Sequence, residues 1–420
     1  MSISFLHCSD LHLGFSQFGL EERFLDFGRA FQDLARVAQE KQVHYLLIAG
    51  DFFNKRTINS RTLSQAVQVF AELKKTGIKV IAIEGNHDKA PYGEGDSWMH
   101  FLHEQGLIYL LQPEFTEGKL VLNEQCLLEF PGIRFIGLGY LGSMTAKRLQ
   151  ELQELLAPSE KFTVLLLHAA IDQLLHLGGV EREALVGLEE LVDYVALGHI
   201  HGRYELEDWI YNPGAPESWD LGEVGKEKGY YHVVITPDGK TVEHLPSSPR
   251  PIYNLQVDLS SLTSPLEVAD LCLENLESQW NPAKQGAMVR LELIGEVPFN
   301  PLSIIQTELV EALQNSFPLI HVEVFNRATL KGERVIELTS SQFNRQQIES
   351  VVLEDLMRRN FAAYDVEDPE FVEAGVEVAQ ALKELSVAGD QEGMLSLIKT
   401  WTKKWGRGEV GHANSSIETD

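Results

Sequence analysis

"KVIAIEGNHDKA", residues 79–90, is an apolar run that stops abruptly in Asn86-His87-Asp88. Valine, isoleucine and alanine in unbroken succession read as a strand buried on both faces. Such a strand delivers three polar side chains to one point. A single junction of this kind decides little, since Asn and Asp also suit ordinary turns. The rest of the chain settles the reading. Asp10 and His12 follow "ISFLHCS", Asp51 follows "YLLIAG", His168 follows "TVLLL", and His199 and His201 follow "YVALG". Five apolar strands end alike. Asp-x-His and His-x-His match the strand period, which sends residues i and i+2 to the same side. Gly50, Gly85 and Gly198 stand at these junctions, where glycine permits a sharp bend and close backbone approach.

Between the strands lie helical patterns. "EERFLDFGRAFQDLARVAQEK" carries Phe24, Phe27, Phe31, Leu34 and Ala38 at helical spacing, and "RTLSQAVQVFAELKKTG" ends in Gly77 at a C-terminal cap position. "GYYHVVITPDGKTVEHL" reads as a hairpin turned at Pro-Asp-Gly. Helices alternating with near-continuous apolar strands predict an α/β layered fold with buried sheets, spanning residues 1–245. "PSSPRPIY", residues 246–253, has linker composition. Residues 253–335 then read strand-helix-strand-helix-strand, enough for a small α+β domain. Residues 341–405 carry a helical signal, and residues 406–420 lack periodicity and are expected to be disordered.

At 420 residues the chain is too long for one ordinary core, and 44% hydrophobic with 23% charged residues is a globular composition. The start, "MSISFLHCSDLHLG", has no basic segment leading into a long apolar stretch, and no run is long enough to span a bilayer. Cys8, Cys126 and Cys272 are too few and too scattered for a disulfide framework or a thiolate zinc site. The expected compartment is the cytoplasm. A formal charge of −27 argues against wholesale phosphate binding by a basic surface, and fits cation binding or reliance on a basic partner.

In open α/β sheets, ligands sit beyond the carboxyl ends of the strands. Oxygen and imidazole donors without thiolate favour manganese, iron or zinc in a catalytic site. The donors are too many for one ion, and a shared carboxylate can bridge two. Paired divalent ions suit hydrolysis of phosphate esters.

"DLHLG", "GDFFN", "GNHD", "LLHAA" and "GHIH", in that order, resemble the five phosphoesterase motifs of calcineurin-like metallophosphoesterases. Their spacing, the "NPGAPES" segment after them and the appended domain look like the SbcD-type double-strand-break repair nucleases, most closely the shorter YhaO-like bacterial branch. The resemblance implies a metallophosphoesterase β-sandwich flanked by helices, with a small capping domain and a helical partner-binding segment. It implies one metal at Asp10, His12, Asp51 and His201, and a second at Asp51, Asn86, His168 and His199, with Mn2+ preferred and Fe2+ or Zn2+ compatible. His87 matches the histidine that assists at the leaving oxygen, and Asp88 is expected to orient it through a hydrogen bond. Some members carry a histidine three residues after the bridging aspartate; here that residue is Asn54. The implied substrate is DNA and the implied partner an SbcC-like coiled-coil ATPase, with homodimerisation a further family expectation. The alternatives are a small-molecule or protein phosphatase on the same scaffold, or a silent scaffold.

"GLGYLG", Gly137 to Gly142, satisfies a dinucleotide fingerprint, but the following strand ends in His168 rather than an acidic ribose ligand, so it reads as a tight strand exit. Lys55, Arg56 and Arg61 after the second motif, Lys89 after the third and Arg203 after the fifth are the candidate phosphate contacts. His7, His44, His100, His103, His176, His232, His244 and His321 have no comparable setting and read as structural. Met394, Leu397, Ile398, Trp401 and Trp405 form a helical apolar stripe, for packing within the chain or for a partner helix.

Overall fold

The computed structural model describes residues 2–91, 93, 95–171, 179–331, 353, 369–388 and 390–405. The chain divides into two units, Met1–Glu333 and Arg334–Asp420.

Two six-stranded sheets build most of the first unit. In one, β1 (Ile3–Cys8), β2 (Tyr45–Ala49), β3 (Lys79–Ile83) and β4 (Tyr109–Leu110) run parallel. A small hairpin follows, β5 (Glu114–Thr116) and β6 (Lys119–Val121). In the other sheet β7 (Leu127–Phe130) pairs antiparallel with β8 (Ile133–Gly139), which lies parallel to β9 (Phe162–His168). Next come β10 (Tyr194–Gly198), parallel to β9 and β12 (Ile210–Asn212), and β11 (Tyr204–Leu206) at the edge. The hairpin of β13 (Gly229–Thr236) and β14 (Gly239–Pro246) closes this part of the chain. It crosses back to the first sheet, pairing antiparallel with β1.

The unbroken apolar strands are explained by what covers each face. Phe5, Leu47, Ile81 and Ile83 of the first sheet meet Phe135, Val164, Leu166 and Tyr194 of the second in a shared inner core. Alternate residues Leu6, Cys8, Leu46, Ile48 and Val80 point the other way, onto α1 (Glu21–Glu40) and α2 (Ser60–Lys75). α2 starts where the Asn59 side chain accepts the Thr62 N–H, and it ends before Gly77 at φ +81. Phe70 of α2 is fully buried; truncating such a residue to alanine costs roughly 3–5 kcal/mol. α3 (Trp98–Glu104) adds Met99 and Leu102 to the same layer. On the far side, Leu149 and Leu152 of α4 (Thr145–Leu155) cover Ile136, Leu165 and Val195. The result is a helix-sheet-sheet-helix sandwich.

Beyond the hairpin, β15 (Ile252–Asp258), β16 (Ala287–Ile294) and β18 (Leu319–Asn326) form a parallel sheet. α5 (Val268–Gln279) and α6 (Gln306–Ser316) pack on one face of it. β17 (Glu296–Val297) and β19 (Thr329–Leu330) pair beside it. Arg250 joins this region to the sandwich, donating to the Asp26 carboxylate and to the Gly286 carbonyl. The Phe18 ring stacks on His321 at 3.7 Å.

In the second unit, α7 (Pro369–Ala388) and α8 (Gln391–Trp405) pack against each other, with the rings of Phe371 and Trp401 5.8 Å apart. Met394, Leu397 and Trp401 of the sequence stripe are half-buried, while Ile398 is exposed. His176, most of the helical pattern before α7 and the tail after α8 lie outside the described residues. Among the described residues, no helix is long and apolar enough to cross a membrane.

Candidate metal centre

The carboxyl ends of β1, β2, β3, β9 and β10 converge. Three groups of donor atoms form there, each within 4.8 Å: Asp10, His12 and His201; His12, Asp51 and His87; Asp51, His168 and His199. His12 and Asp51 each belong to two groups, so the three make one chain. Asn86 joins them, its Oδ1 3.3 Å from His168 Nε2. All seven residues expected as ligands therefore gather in one place.

The backbone explains how. Asp10, His12, Asp51 and His199 all have left-handed φ, at 55°, 45°, 50° and 95°. A non-glycine residue held there costs about 1–3 kcal/mol, and such residues persist only where surrounding structure enforces them. Here the enforcement is mutual. The amide of Asp10 donates to the Gly50 carbonyl at 3.1 Å and that of His12 to the Asp51 carbonyl at 3.0 Å. The His199 N–H donates to the Asp10 carboxylate. The junction glycines are there for space. A Cβ at Gly50 would strike the His168 ring, one at Gly85 the Asp51 carboxylate, and one at Gly198 the Ala49 carbonyl.

Side-chain partners leave the right atoms free. His168 Nδ1 donates to the Ala49 carbonyl at 2.8 Å, which turns Nε2 toward Asp51 Oδ2 at 3.3 Å. His201 Nδ1 lies 2.6 Å from the Glu223 carboxylate, leaving its Nε2 3.1 Å from that of His12. His12 is buried, and its Nδ1 has no hydrogen-bond partner among the described residues. Ring nitrogens so placed face a common point, an arrangement that a cation satisfies.

The charges agree. Burial pulls the His168 imidazole down, but the Asp51 charge and hydrogen bond reverse this and raise it to about 9. Burial favours the neutral acid at Asp51, yet His168, by charge and hydrogen bond, holds it below the usual carboxylate range. Burial drives His12 well down, so its ring stays neutral. Glu223 resists burial through His201 and Lys228 and is lowered to about 2. An ionised Asp51 among clustered imidazole nitrogens is a donor set for divalent metal.

His87 projects into the same space. Its Nδ1 is held by the Asn54 carbonyl at 2.7 Å, and its Nε2 stands 4.0 Å from Asp51 Oδ2. The expected hydrogen bond from Asp88 is absent. The Asp88 carboxylate instead accepts the amides of Phe52, Phe53 and Gly85, at 3.1, 2.8 and 2.9 Å. Those three N–H groups point into a buried loop and need an acceptor, so Asp88 shapes the turns carrying Asp51 and His87. Burial and then the Asp51 charge push its carboxyl up to about 7, against the three amides.

The basic residues separate. Lys55 and Arg56 are exposed and line a cavity of about 390 Å³ with Phe15, Asn54, His87 and Trp219. Lys89 lies 3.6 Å from the Glu84 carboxylate. Arg61 is paired with Glu21 and covers the Phe24 ring. Arg203, expected to meet phosphate, is instead tied to Glu205, to Glu227 and to the Tyr231 hydroxyl. In an acidic chain a guanidinium beside two carboxylates is neutralised locally, and its three partners leave it poorly placed for a ligand.

Three neighbours gave no sequence signal. Glu223 orients His201; Trp219 donates its indole N–H to Asn54 Oδ1 at 3.0 Å; the Tyr140 ring stands 5.8 Å from His199. Tyr140 leaves β8 through the glycine-rich exit, where Gly139 has φ +65 and the Tyr140 N–H bonds the Glu84 carbonyl.

Residues 3–203 match the family model described as calcineurin-like phosphoesterase. The DNA double-strand break repair protein Mre11 of Archaeoglobus fulgidus is 28% identical over 378 residues, covering 84% of this chain and 84% of its own. The Mre11 protein of Aeropyrum pernix is 26% identical, over 60% of this chain and 63% of its own. That of Sulfurisphaera tokodaii is 30% identical, over 47% and 49%. A solved dimetal phosphatase from Danio rerio overlays 59% of this chain and 97% of its own, at 13% identity and a TM-score of 0.37.

Proposed function

We propose, from a chain whose residues 3–203 are a calcineurin-like phosphoesterase domain, that it is a metal-dependent phosphodiesterase cleaving DNA in the repair or processing of ends. The chained donor groups carry this reading, because Asp51, a carboxylate common to neighbouring groups, is the kind of residue through which a paired-ion centre can be shared. Asp10, His12, Asp51 and His201 would hold one ion, and Asp51, Asn86, His168 and His199 the other, with Asp51 between them. Manganese is the preferred metal. Two such ions supply Lewis acidity at phosphorus and an activated water.

The chain's own residues do the rest. His87, fixed through Nδ1 and open at Nε2, is the group placed to protonate or hydrogen-bond the leaving oxygen. Asp88 holds the loop that carries it. Lys55 and Arg56, exposed beside it, would bind backbone phosphates without reading bases. DNA as substrate is supported by the relatives named for double-strand break repair, one of which aligns over 84% of this chain. We further propose action in the cytoplasm with a coiled-coil ATPase of the SbcC type, gripped by the apolar stripe of α8, and pairing of two copies.

The test is manganese-dependent hydrolysis of DNA ends and hairpins, measured beside bis-p-nitrophenyl phosphate and p-nitrophenyl phosphate. Cleavage of DNA and of the diester, lost on chelation and restored by manganese, is expected. Turnover of the monoester alone would refute the reading.

A further inference from the structure

The cavity beside His87 has a wall that metal chemistry does not need. Phe15 and Trp219 stack with ring centroids 5.3 Å apart and planes at 21°, and both line the 390 Å³ space that Lys55, Arg56 and His87 also border. We propose that this aromatic pair is a stacking platform for one unpaired nucleobase next to the scissile phosphate. The proposal rests on the nuclease reading and names which part of the substrate the site grips.

The rings are fixed before any ligand arrives. The Trp219 indole N–H is bonded to Asn54 Oδ1 at 3.0 Å, and its backbone N–H donates to Glu223 at 3.1 Å. Phe15 is backed by Phe27, 5.3 Å away. A platform held in place loses little freedom on binding. Asn54 connects it to the chemistry, since its side chain holds Trp219 while its carbonyl holds His87. Aromatic faces flanked by exposed Lys55 and Arg56 are the combination that single-stranded nucleic acid uses: stacking for bases and cations for phosphates. A second cavity of about 220 Å³ shares Phe15, Asn54 and Lys55 and leads on past Ile58. The strand would continue that way.

The specificity follows from physics. Every base has a π-face, so the platform does not select sequence. It does select against a base still stacked in a duplex, which has no free face to give. Frayed ends, loops and single strands are therefore the favoured substrates.

The experiment uses the full chain with manganese and a single-stranded oligonucleotide carrying one tetrahydrofuran residue that lacks a base. Cleavage at each bond is mapped against the intact oligonucleotide. One bond flanking the abasic position is expected to lose roughly tenfold in kcat/KM, the scale of one base–aromatic stack. That ratio should survive Trp219→Phe and collapse toward one in Trp219→Leu. In metal-free protein, oligothymidylate should quench tryptophan emission more in the native chain than in Trp219→Phe. This fluorescence comparison stands even if Trp219→Leu does not fold. Equal cleavage of abasic and intact sites with no difference in quenching overturns the platform. Turnover of bis-p-nitrophenyl phosphate without any DNA cleavage overturns the nuclease reading, and the platform with it.

Discussion

The two sides of the centre are fastened by different means. On the side supplied by β1, β2 and β3, the polar residues are held by main chain: left-handed φ at Asp10, His12 and Asp51, carbonyls of residues 50 and 51 taking amides, and three amides gathered by Asp88. On the side supplied by β9 and β10, the His201 ring depends on side chains, on Glu223 and the buried Lys228 behind it, although its carbonyl also takes the Ala215 amide at 3.2 Å. His168 belongs by position to the second side and by anchorage to the first, since its Nδ1 bonds the Ala49 carbonyl at the end of β2. A carbonyl in a strand cannot be mutated away. A carboxylate on a loop can. The contrast therefore predicts which ligands tolerate substitution nearby and which do not.

The largest effect belongs to His87, which sits on the main-chain side but is placed to act on the reacting atoms. His87→Ala should lower kcat on DNA and on bis-p-nitrophenyl phosphate by about 10²–10⁴-fold, the usual worth of a general acid. Metal stoichiometry, measured by calorimetry, should be unchanged. A variant that loses an ion along with activity would make His87 a ligand, and would extend the metal set on the first side.

Glu223 tests the second side directly. Glu223→Ala removes the partner of His201 Nδ1 and should weaken one ion by about 10–100-fold while the other stays bound. Glu223→Gln keeps an acceptor for the ring N–H and should restore most of the loss. The counterpart on the first side is Gly50→Ala. The new methyl would strike the His168 ring, at a residue with φ +89, and should loosen the other ion with no conservative rescue. Equal weakening of both ions by Glu223→Ala would erase the distinction between the sides.

Protons sharpen it further. With Asp51 beside it, His168 is raised to about 9 in the metal-free protein, so at pH 7 it carries a proton that a metal must displace. Affinity for the ion at His168 should then rise about tenfold per pH unit and level off near 9, with about one proton released per ion. Calorimetry at pH 7 in buffers of different ionisation enthalpy reads this number. Binding at this ion without proton release would mean that the Asp51–His168 pair is not charged as the geometry requires.

The same division explains how much was legible in the sequence. The clustering of the Asp, Asn and His residues, the turns and the layers are legible because each lies within a few residues of a strand end, where the side-chain period and the junction glycines are local facts. The role of Asp88 is hidden in the sequence, since a carboxylate one residue from a histidine invites pairing, whereas the amides of residues 52, 53 and 85 that claim it converge only once two loops meet. Glu223 and Trp219 sit in a loop well after the last motif, with no periodicity to mark them, and gain their meaning from His201 and Asn54. Main-chain fastening leaves a sequence trace; side-chain fastening leaves almost none.

The smallest expected effect concerns the basic residues, and it reverses a sequence expectation. Arg203 follows the last motif closely and is by position a natural phosphate contact, yet each of its three nitrogens already donates, to Glu205, to Glu227 and to the Tyr231 hydroxyl. Among the described residues, Lys55 and Arg56 have no such partners, and both remain exposed beside the cavity they border. Reversing both to Glu should weaken binding of metal-free protein to single-stranded DNA and reduce the slope of log affinity against log salt by about 0.7 per lost contact. Arg203→Gln should leave that slope nearly unchanged and cost no more than about 1 kcal/mol of stability, as expected for a partly exposed ion pair. If Arg203 rather than Lys55 and Arg56 set the slope, the strand would enter along the side-chain-fastened wall, and the path past Phe15 and Trp219 would have to be redrawn.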